Sequence, residues 1–152
     1  MKKITIYTDG SSLGNPGFGG YCGILLYRDK EKIISGSVAN TTNNRMELMA
    51  LLQSLRILKE PCEIDLYTDS QYVVQGINEW LEGWMKKNFR EVKNPDLWRE
   101  YVGLSKPHNI KAYWVKGHGG NAMNEKCDKI ARFEAKQLQD AANNMQEPSL
   151  NI

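Results

Sequence analysis

The stretch KITIYTD, residues 3–9, decides the fold, because it alternates apolar and polar side chains and ends on an acid. A period of two predicts a β-strand with Tyr7 and Asp9 on one face and Ile4 and Ile6 on the other. The same seven residues therefore predict a strand and place a carboxylate at its end.

The residues that follow predict two further consecutive strands and then helices that alternate with strands. A turn-rich loop is predicted at 10–20, and further strands at 21–28, 32–39, 63–68 and 110–115. Helices are predicted at 41–59, from 70 to about 80, from 95 to about 104 and from about 124 to 142. Thr42 or Asn43 is a suitable cap for the first helix, and Asp69-Ser70 for the second. This order predicts an α/β fold in which helices flank a mixed sheet.

Length and composition predict one globular domain. The chain has 152 residues, of which 41% are hydrophobic and 25% charged. We expect a single domain over residues 1–142 and a flexible tail over 143–152, where Asn and Gln are frequent. No apolar run approaches the roughly 20 residues that span a bilayer, so no membrane partner is expected.

The cysteines indicate the redox environment. Cys22, Cys62 and Cys127 are odd in number, far apart and without metal-like spacing. Such cysteines are typical of reduced thiols, and the N-terminus lacks the features of a signal peptide. We therefore expect a cytoplasmic location.

Positive charge is concentrated in one region, although the net charge is only +2. Between Trp84 and Lys116, eight basic residues stand against three acidic ones. A basic zone that contains tryptophans suggests a polyanionic partner, although a solvated helix face is the alternative interpretation.

Four carboxylates stand at predicted strand ends and helix starts: Asp9, Glu47, Asp69 and Asp128. Each has an ordinary structural explanation, as a turn former, a cap or a partner of a helix dipole. If the four converge at one edge of the sheet, however, their like charges need a counterion. Hard oxygen ligands select Mg²⁺, with Mn²⁺ as a substitute, and two ions about 3.5–4 Å apart form a phosphoryl-transfer site.

The motifs around these carboxylates resemble type 1 ribonuclease H, in its bacterial form. They follow the family's order and spacing from residue 3 to about 135. The motifs are TDGS at 8–11, GNPG at 14–17, TTNNRMEL at 41–48, TDSQYV at 68–73, WVKGH at 114–118 and NEKCD at 124–128. The resemblance implies a five-stranded mixed sheet, with three antiparallel strands followed by two parallel ones, and helices on both sides.

The resemblance also implies an activity: endonucleolytic hydrolysis of the RNA strand of RNA–DNA hybrids by two metal ions. The products would be 5′-phosphate and 3′-hydroxyl ends. The four carboxylates would be the catalytic metal ligands. His118, in a glycine-rich loop, would carry protons and aid product release, and Glu125 would support the second metal.

Substrate contacts follow from the same resemblance. Amide side chains can both donate to and accept from a 2′-hydroxyl, which distinguishes RNA from DNA. The residues implied in minor-groove contacts are Asn15, Asn43, Asn44 and Gln71. Thr42 and Asn94 would hold a DNA phosphate, while Trp84, Lys86 and Lys87, with Trp80, would form a basic handle along the DNA strand. Core packing is the alternative for Trp80 and Trp98. Contacts of this kind carry little base information, so cleavage should be largely independent of sequence.

Two departures from the family pattern stand out. The stretch 84–95 is shorter than the usual bacterial handle, and residues 119–123 lack the second histidine and the proline common after His118. The main alternative function is a non-catalytic hybrid-binding module on the same fold. A nucleotide-phosphate loop at 14–20 is disfavoured because such loops open a helix. A DNA-acting relative would need added segments, and we expect a monomer.

Overall fold

A computed structural model describes residues 1–146 of the protein. This part of the chain contains five strands, five α-helices and one π-helical turn. The strands are β1 (Lys2–Ser12), β2 (Gly17–Tyr27), β3 (Lys30–Thr41), β4 (Cys62–Thr68) and β5 (Asn109–Trp114). The helices are α1 (Asn43–Arg56), α2 (Gln71–Gln75), α3 (Leu81–Lys86), α4 (Pro95–Ser105) and α5 (Ala122–Gln146), with the π-helical turn Gly76–Trp80 joining α2 to α3.

The strands form one mixed sheet in the spatial order β3-β2-β1-β4-β5. β1 pairs antiparallel with β2, and β2 with β3. β4 lies parallel to β1, and β5 parallel to β4. The predicted fold class is therefore confirmed: three antiparallel strands are followed by two parallel ones.

The parallel pairing of β1 with β4 positions the site. Tyr7 and Tyr67 are register partners, so the two aspartates that follow them, Asp9 and Asp69, leave the sheet at the same end. The carboxyl ends of parallel strands therefore supply two acids from segments 60 residues apart in sequence.

The two faces of the sheet are packed differently. On one face, α1 contributes Leu48, Leu51 and Leu55 to a large aliphatic cluster with Ile6 and Leu66. On the other face, α5 lies on a smaller cluster built from Cys22, Ile24, Cys127 and Ala131. Small side chains let α5 approach the strands closely. All three cysteines are free thiols, as expected.

The predicted loop over residues 10–20 is wrong in extent. β1 continues to Ser12 and β2 begins at Gly17, and Ser12 pairs with Gly19. Gly20 has no side chain to contribute to an alternating pattern, but its backbone pairs with Ser11 in the ladder. Glycines are therefore in this sheet because a neighbouring helix needs the space, which the hydrophobic pattern does not reveal.

The helix boundaries also differ in places. α1 ends at Arg56, three residues before its predicted end, and Thr42 is its cap, since its hydroxyl accepts from the Arg45 N–H at 3.3 Å. α5 continues to Gln146, beyond the predicted 142. Residues 147–152 lie outside the described residues, so the predicted tail stays a prediction. Across residues 1–146, no helix combines the length and apolarity that crossing a bilayer requires.

We expect Gly20→Ala to destabilise the fold. A Cβ at Gly20 would lie 2.1 Å from the Ala131 carbonyl oxygen and 2.7 Å from the Ala135 nitrogen, and both are backbone atoms of α5. Overpacking of this kind costs about 1–3 kcal/mol. Urea denaturation followed by circular dichroism measures the change in the free energy of unfolding.

The matched control is Gly83→Ala, because a Cβ at Gly83 in α3 meets nothing within 4 Å. Alanine in an open helical position gains about 0.5–1 kcal/mol over glycine. The two substitutions should therefore move the urea midpoint in opposite directions. Equal midpoints would contradict the close approach of α5 to β2.

Candidate active site

Three carboxylates meet beside the carboxyl ends of β1 and β4. One oxygen from each of Asp9, Glu47 and Asp69 lies within 4.8 Å of the other two. Asp9 is 2% exposed and Glu47 is 4% exposed, while Asp69 is half-buried. We call these three residues the carboxylate cluster. It joins a strand, a helix and a strand-to-helix connection at one point.

Gly10 lets α1 reach the cluster. A Cβ at Gly10 would lie 2.3 Å from the Met46 carbonyl carbon and from the Glu47 nitrogen, so only glycine allows this approach. The Gly10 N–H also donates to Asp9 Oδ1 at 3.0 Å. The residue after Asp9 thus orients one carboxylate and makes room for the helix that carries the next.

Asp69 is left free by its neighbour. Ser70 caps α2, since its hydroxyl accepts from the Val73 N–H at 3.2 Å, so Asp69 is not the cap. Trp114 on β5 donates its indole N–H to the Asp69 carbonyl at 3.1 Å. The backbone of Asp69 is therefore fixed while its carboxylate faces the cluster.

Asp128 takes a different position. It borders the same cavity, of about 410 Å³, but stands outside the group of three whose oxygens lie within 4.8 Å. Its Oδ2 accepts from Arg132 Nε at 2.9 Å. The structure thus brings three of the predicted ligands together. The fourth, Asp128, is paired with Arg132 and lies at the rim of the cavity.

Burial and mutual repulsion disfavour the ionised forms of the cluster. The pKa of Asp9 is raised to about 8. Burial is the largest cause, a hydrogen bond with Glu47 partly offsets it, and the negative charges of Asp69 and Asp128 add to it. Burial and the charge of Asp9 raise the pKa of Glu47 well above its ordinary value. Burial also raises the pKa of Asp69. Charged groups held this way are stabilised by a cation.

The donor set fits a hard divalent cation. Asp9 Oδ2 and Glu47 Oε2 are buried and, when both acids are ionised, have no hydrogen-bond donor among the described residues. Buried polar atoms are almost always satisfied, so two unpaired carboxylate oxygens at one point need an explanation. A hard divalent cation, which favours oxygen ligands, would supply it.

The four predicted minor-groove residues are exposed and surround the carboxylates. Asn43, Asn44 and Gln71 line the cavity of the cluster. Asn15 lies beside them, and its Oδ1 accepts from the Asn43 N–H at 2.9 Å. Its role in the turn and the cap of α1, the alternative explanation, is therefore present as well.

A second cavity, of about 590 Å³, adjoins the first. It is lined by Asn15, Thr42, Asn43, Asn44, Lys93 and Asn94. Asn94 has a left-handed backbone (φ 56°) at the start of α4. Its amide is held on both sides: Oδ1 accepts from Arg45 Nη1 at 3.2 Å, and Nδ2 donates to Tyr72 Oη at 3.0 Å. Thr42 and Asn94 are therefore brought together, as predicted, and a lysine accompanies them.

The tryptophans divide between the core and the surface. Trp98 is fully buried, so the core interpretation is correct for it. Trp84 is half-buried and packs edge-on against Trp98, with ring centroids 5.1 Å apart. Trp80 is 39% exposed, and its ring centroid lies 5.7 Å from that of Trp84. Lys86 and Lys87, at the end of α3, are both exposed.

The remaining two predicted residues do not line the cavity, although the loop of His118 reaches Asp69, since a Cβ at the adjacent Gly117 would lie 2.9 Å from Asp69 Oδ2. His118 is exposed in the loop between β5 and α5, with a positive φ of 57°. Glu125 is half-buried on α5, one turn before Asp128, and does not line the cavity.

Three further residues support the site and were not predicted from the sequence: Arg132, Arg45 and Trp114. The four-residue spacing of Arg132 from Asp128 on a predicted helix is a signal that could have found it. Arg45, which also forms a two-point ion pair with Asp96 at 2.7 and 3.0 Å, has no such signal, because its partners lie about 50 residues away.

Comparison with known proteins identifies relatives for nearly the whole chain. The RNase H family profile matches residues 1–136. The chain is 64% identical to ribonuclease H of Helicobacter acinonychis (strain Sheeba) and 62% identical to ribonuclease HI of Helicobacter pylori (strain ATCC 700392 / 26695). Each match covers 89% of this chain and 94% of the relative. Among solved structures, LC9-RNase H1, described as a type 1 RNase H with the type 2 active-site motif, is similar with a TM-score of 0.83 and 27% identity, over 90% of this chain and 73% of that one.

Asp9→Asn should stabilise the metal-free protein. The raised pKa of Asp9 means that ionisation of this buried group opposes folding; the penalty is absent below the unfolded pKa near 4 and grows as the pH rises towards 8. In EDTA at neutral pH we expect a gain of about 1–3 kcal/mol, or about 2–4 °C per kcal/mol. Thermal unfolding from pH 4 to 8 measures it.

Asp29→Asn is the control, because Asp29 is exposed in the β2–β3 turn and should leave the melting temperature unchanged. Saturating Mg²⁺ should reduce or reverse the gain from Asp9→Asn. If Asp9→Asn and the unsubstituted protein have the same melting temperature at every pH in EDTA, the carboxylates do not repel one another as described.

Proposed function

Because the chain belongs to the ribonuclease H family and is an endoribonuclease of that family, we propose that it cuts the RNA strand of RNA–DNA hybrids. The observation that carries this proposal is the carboxylate cluster, where three acids share one point and two buried oxygens have no partner. The family is metal-dependent, and this chain has the acidic cluster which that dependence requires.

Asp9, Glu47 and Asp69 would hold the cations, and Asp128 would complete the site from the rim of the cavity. We take the ions to be Mg²⁺, with Mn²⁺ as a substitute. When bound, two such ions lower the pKa of an attacking water and stabilise charge on the departing 3′-oxygen. Burial of Asp9 and Glu47 keeps bulk water away from their oxygens and leaves these oxygens free for ligation.

The chain's own side chains do the remaining work. His118 is exposed in the loop that follows β5, so its imidazole can reach a substrate bound at the carboxylates. We assign it proton transfer to the departing 3′-oxygen, which leaves 3′-hydroxyl and 5′-phosphate ends. Glu125, half-buried one turn before Asp128, supports the site from α5.

Selection of RNA rests on the amides around the cluster. Asn43, Asn44 and Gln71 line the cavity, so their side chains can reach 2′-hydroxyls on a strand whose phosphate lies at the carboxylates. Thr42 and Asn94, in the second cavity, would hold a phosphate of the other strand. Trp84, Lys86 and Lys87 extend that contact, and none of these groups reads base sequence.

The chain is proposed to act as a cytoplasmic monomer. Its three cysteines are free and buried, which suits a reducing compartment. The stretch 84–95 carries four basic side chains, Lys86, Lys87, Arg90 and Lys93, against one acid, so binding to hybrids should weaken as the salt concentration rises.

Asp9→Asn should abolish cleavage. The substitution keeps the size of the side chain and removes one ligand charge, so a loss of 100-fold or more is expected, or several kcal/mol of transition-state stabilisation. The assay is Mg²⁺-dependent cleavage of a fluorescent RNA–DNA hybrid. Asp65→Asn is the matched control and should keep full activity. Asp65 lies on β4, on the same face of the sheet as Asp9, but its Oδ2 is 4.0 Å from Lys3 Nζ.

The same assay separates the proposed function from its alternative. Native protein should cut the hybrid, and neither double-stranded RNA nor double-stranded DNA. Binding of the hybrid without Mg²⁺-dependent cutting would instead favour a non-catalytic hybrid-binding module. Full activity of Asp9→Asn would remove the carboxylate cluster from the chemistry.

Asn94→Gly should weaken substrate binding and spare the chemical step. Glycine tolerates the left-handed backbone at this position and removes the amide that Arg45 and Tyr72 hold in place. Losing a hydrogen bond to a charged phosphate costs about 1.5–3 kcal/mol, so KM should rise by about tenfold or more while kcat stays constant. Asn109→Gly, at an exposed position on β5, is the control. A fall in kcat with constant KM would contradict the assigned role.

A further inference from the structure

Three tyrosines form a stack across the sheet. Tyr7, Tyr67 and Tyr113 are register partners on β1, β4 and β5. Tyr7 and Tyr67 have ring centroids 5.2 Å apart at an interplanar angle of 20°, and Tyr67 and Tyr113 have centroids 5.3 Å apart at 23°. We call these three residues the tyrosine row. Tyr67 stacks between the other two rings. Tyr113, at the outer end of the row, is 41% exposed.

Only the inner end of the row, Tyr7, is covered by a helix, since it packs against the cluster under α5. α5 packs against β1, β2 and β3 on this side. Ala112, the chain neighbour of Tyr113, is buried in the cluster on the α1 side, so Tyr113 projects from the opposite face. β5 is also the edge strand, and the outer face of the Tyr113 ring therefore meets solvent.

The charges beside Tyr113 favour an anionic chain. Lys111, two residues earlier on the same face of β5, and Lys116, just after the strand, are both exposed. Neither makes an ion pair with any carboxylate in residues 1–146. An exposed aromatic ring with one lysine on its own face of the strand and another three residues later in the chain has the features of a single-strand nucleic-acid site, where bases stack and phosphates meet positive charge.

The neighbouring row of the sheet argues against a second copy of the chain. There, Asp65 is the register partner of Lys111 and its Oδ2 lies 4.0 Å from Lys3 Nζ, and a protein surface pressed onto the row would have to desolvate these charges. A nucleotide strand stacked on Tyr113 would leave them in water.

The row is continuous with the carboxylate cluster. Asp9 and Asp69 each follow a tyrosine of the row by two residues, which corresponds to about 7 Å along a strand. The second cavity is lined by residues at the starts of α1 and α4 and by none of β5. A strand whose phosphate sits at the carboxylates therefore lies closer in the fold to the tyrosine row than the strand held by Asn94 does.

We propose that the outer face of Tyr113, flanked by Lys111 and Lys116, binds a base of an unpaired extension of the cleaved RNA strand. This rests on the proposed function, because that function places the RNA strand at the carboxylates. The protein then prefers hybrids whose RNA strand continues as a single strand beyond the duplex.

The test compares three fluorescent substrates: a blunt hybrid, the same hybrid with a single-stranded adenosine extension on its RNA strand at either end, and one with the extension on its DNA strand. Dissociation constants are measured by anisotropy in EDTA in an Asp9→Asn background, so that the substrate stays intact. The RNA extension should tighten binding about fivefold or more, as expected for one stacked base.

The variants separate ring stacking from general effects. Tyr113→Ala should remove the preference for the RNA extension, and Tyr113→Phe should keep it. Phe133→Ala removes an aromatic ring of α5 that is more exposed than Tyr113, 61% against 41%, and should change nothing. Cleavage of the blunt hybrid in Mg²⁺, measured with Asp9 restored, should be the same in all three variants.

Three results would overturn the proposal: equal binding of blunt and RNA-extended hybrids, a preference that survives Tyr113→Ala, or a DNA extension bound as tightly as the RNA extension. Failure of the native protein to cut blunt hybrid would instead refute the proposed function, and it is read from a separate measurement.

Discussion

One carboxylate oxygen from each of Asp9, Glu47 and Asp69 lies within 4.8 Å of the other two, and Asp9 and Glu47 are buried. This crowding of acids constrains the structure around the site. Their mutual repulsion opposes folding unless a cation or protons relieve it. The surrounding fold must therefore be stable enough to hold the acids together. The aliphatic cluster between α1 and the sheet supplies that rigidity, because Leu48 and Leu51 are fully buried in the turn that follows Glu47.

Helix α1 connects the two halves of the site. Its first turn carries Asn43 and Asn44 towards the cavity of the cluster, its cap Thr42 lines the second cavity, and Glu47 reaches the cluster itself. Arg45, between them, fixes Asn94 and pairs with Asp96 on α4. The distance between the carboxylates and the second cavity is therefore set within six residues, 42–47. Under the proposed function, this spacing would fix how far the cut strand lies from the strand that Thr42 and Asn94 hold.

The sequence predicts those parts of the site that follow from local periodicity. The alternation of β1 and the strand end before Asp69 place two acids at one edge, and the helical spacing of the leucines orients Glu47. The prediction of a loop at the glycine-rich stretch is wrong because Gly10 and Gly20 are glycines for a tertiary reason. Helices pack closely against both positions, and such packing leaves no local pattern in the sequence. The position of Asp128 at the rim depends on how α5 crosses the sheet. The hold of Arg45 on Asn94 joins segments 49 residues apart, and neither arrangement leaves a trace in sequence spacing.

One feature of the sheet accounts for both the carboxylates and the tyrosine row. Parallel pairing in register puts equivalent positions of β1, β4 and β5 side by side, and a period of two then repeats that alignment two residues later. Tyr7 beside Tyr67 is thus followed by Asp9 close to Asp69. β5 departs from this pattern, since Tyr113 is followed by Val115 rather than an acid. The stack therefore extends one strand further than the negative charge does, and its free end lies at the sheet edge beside Lys111 and Lys116, where a phosphate chain meets attraction instead of repulsion.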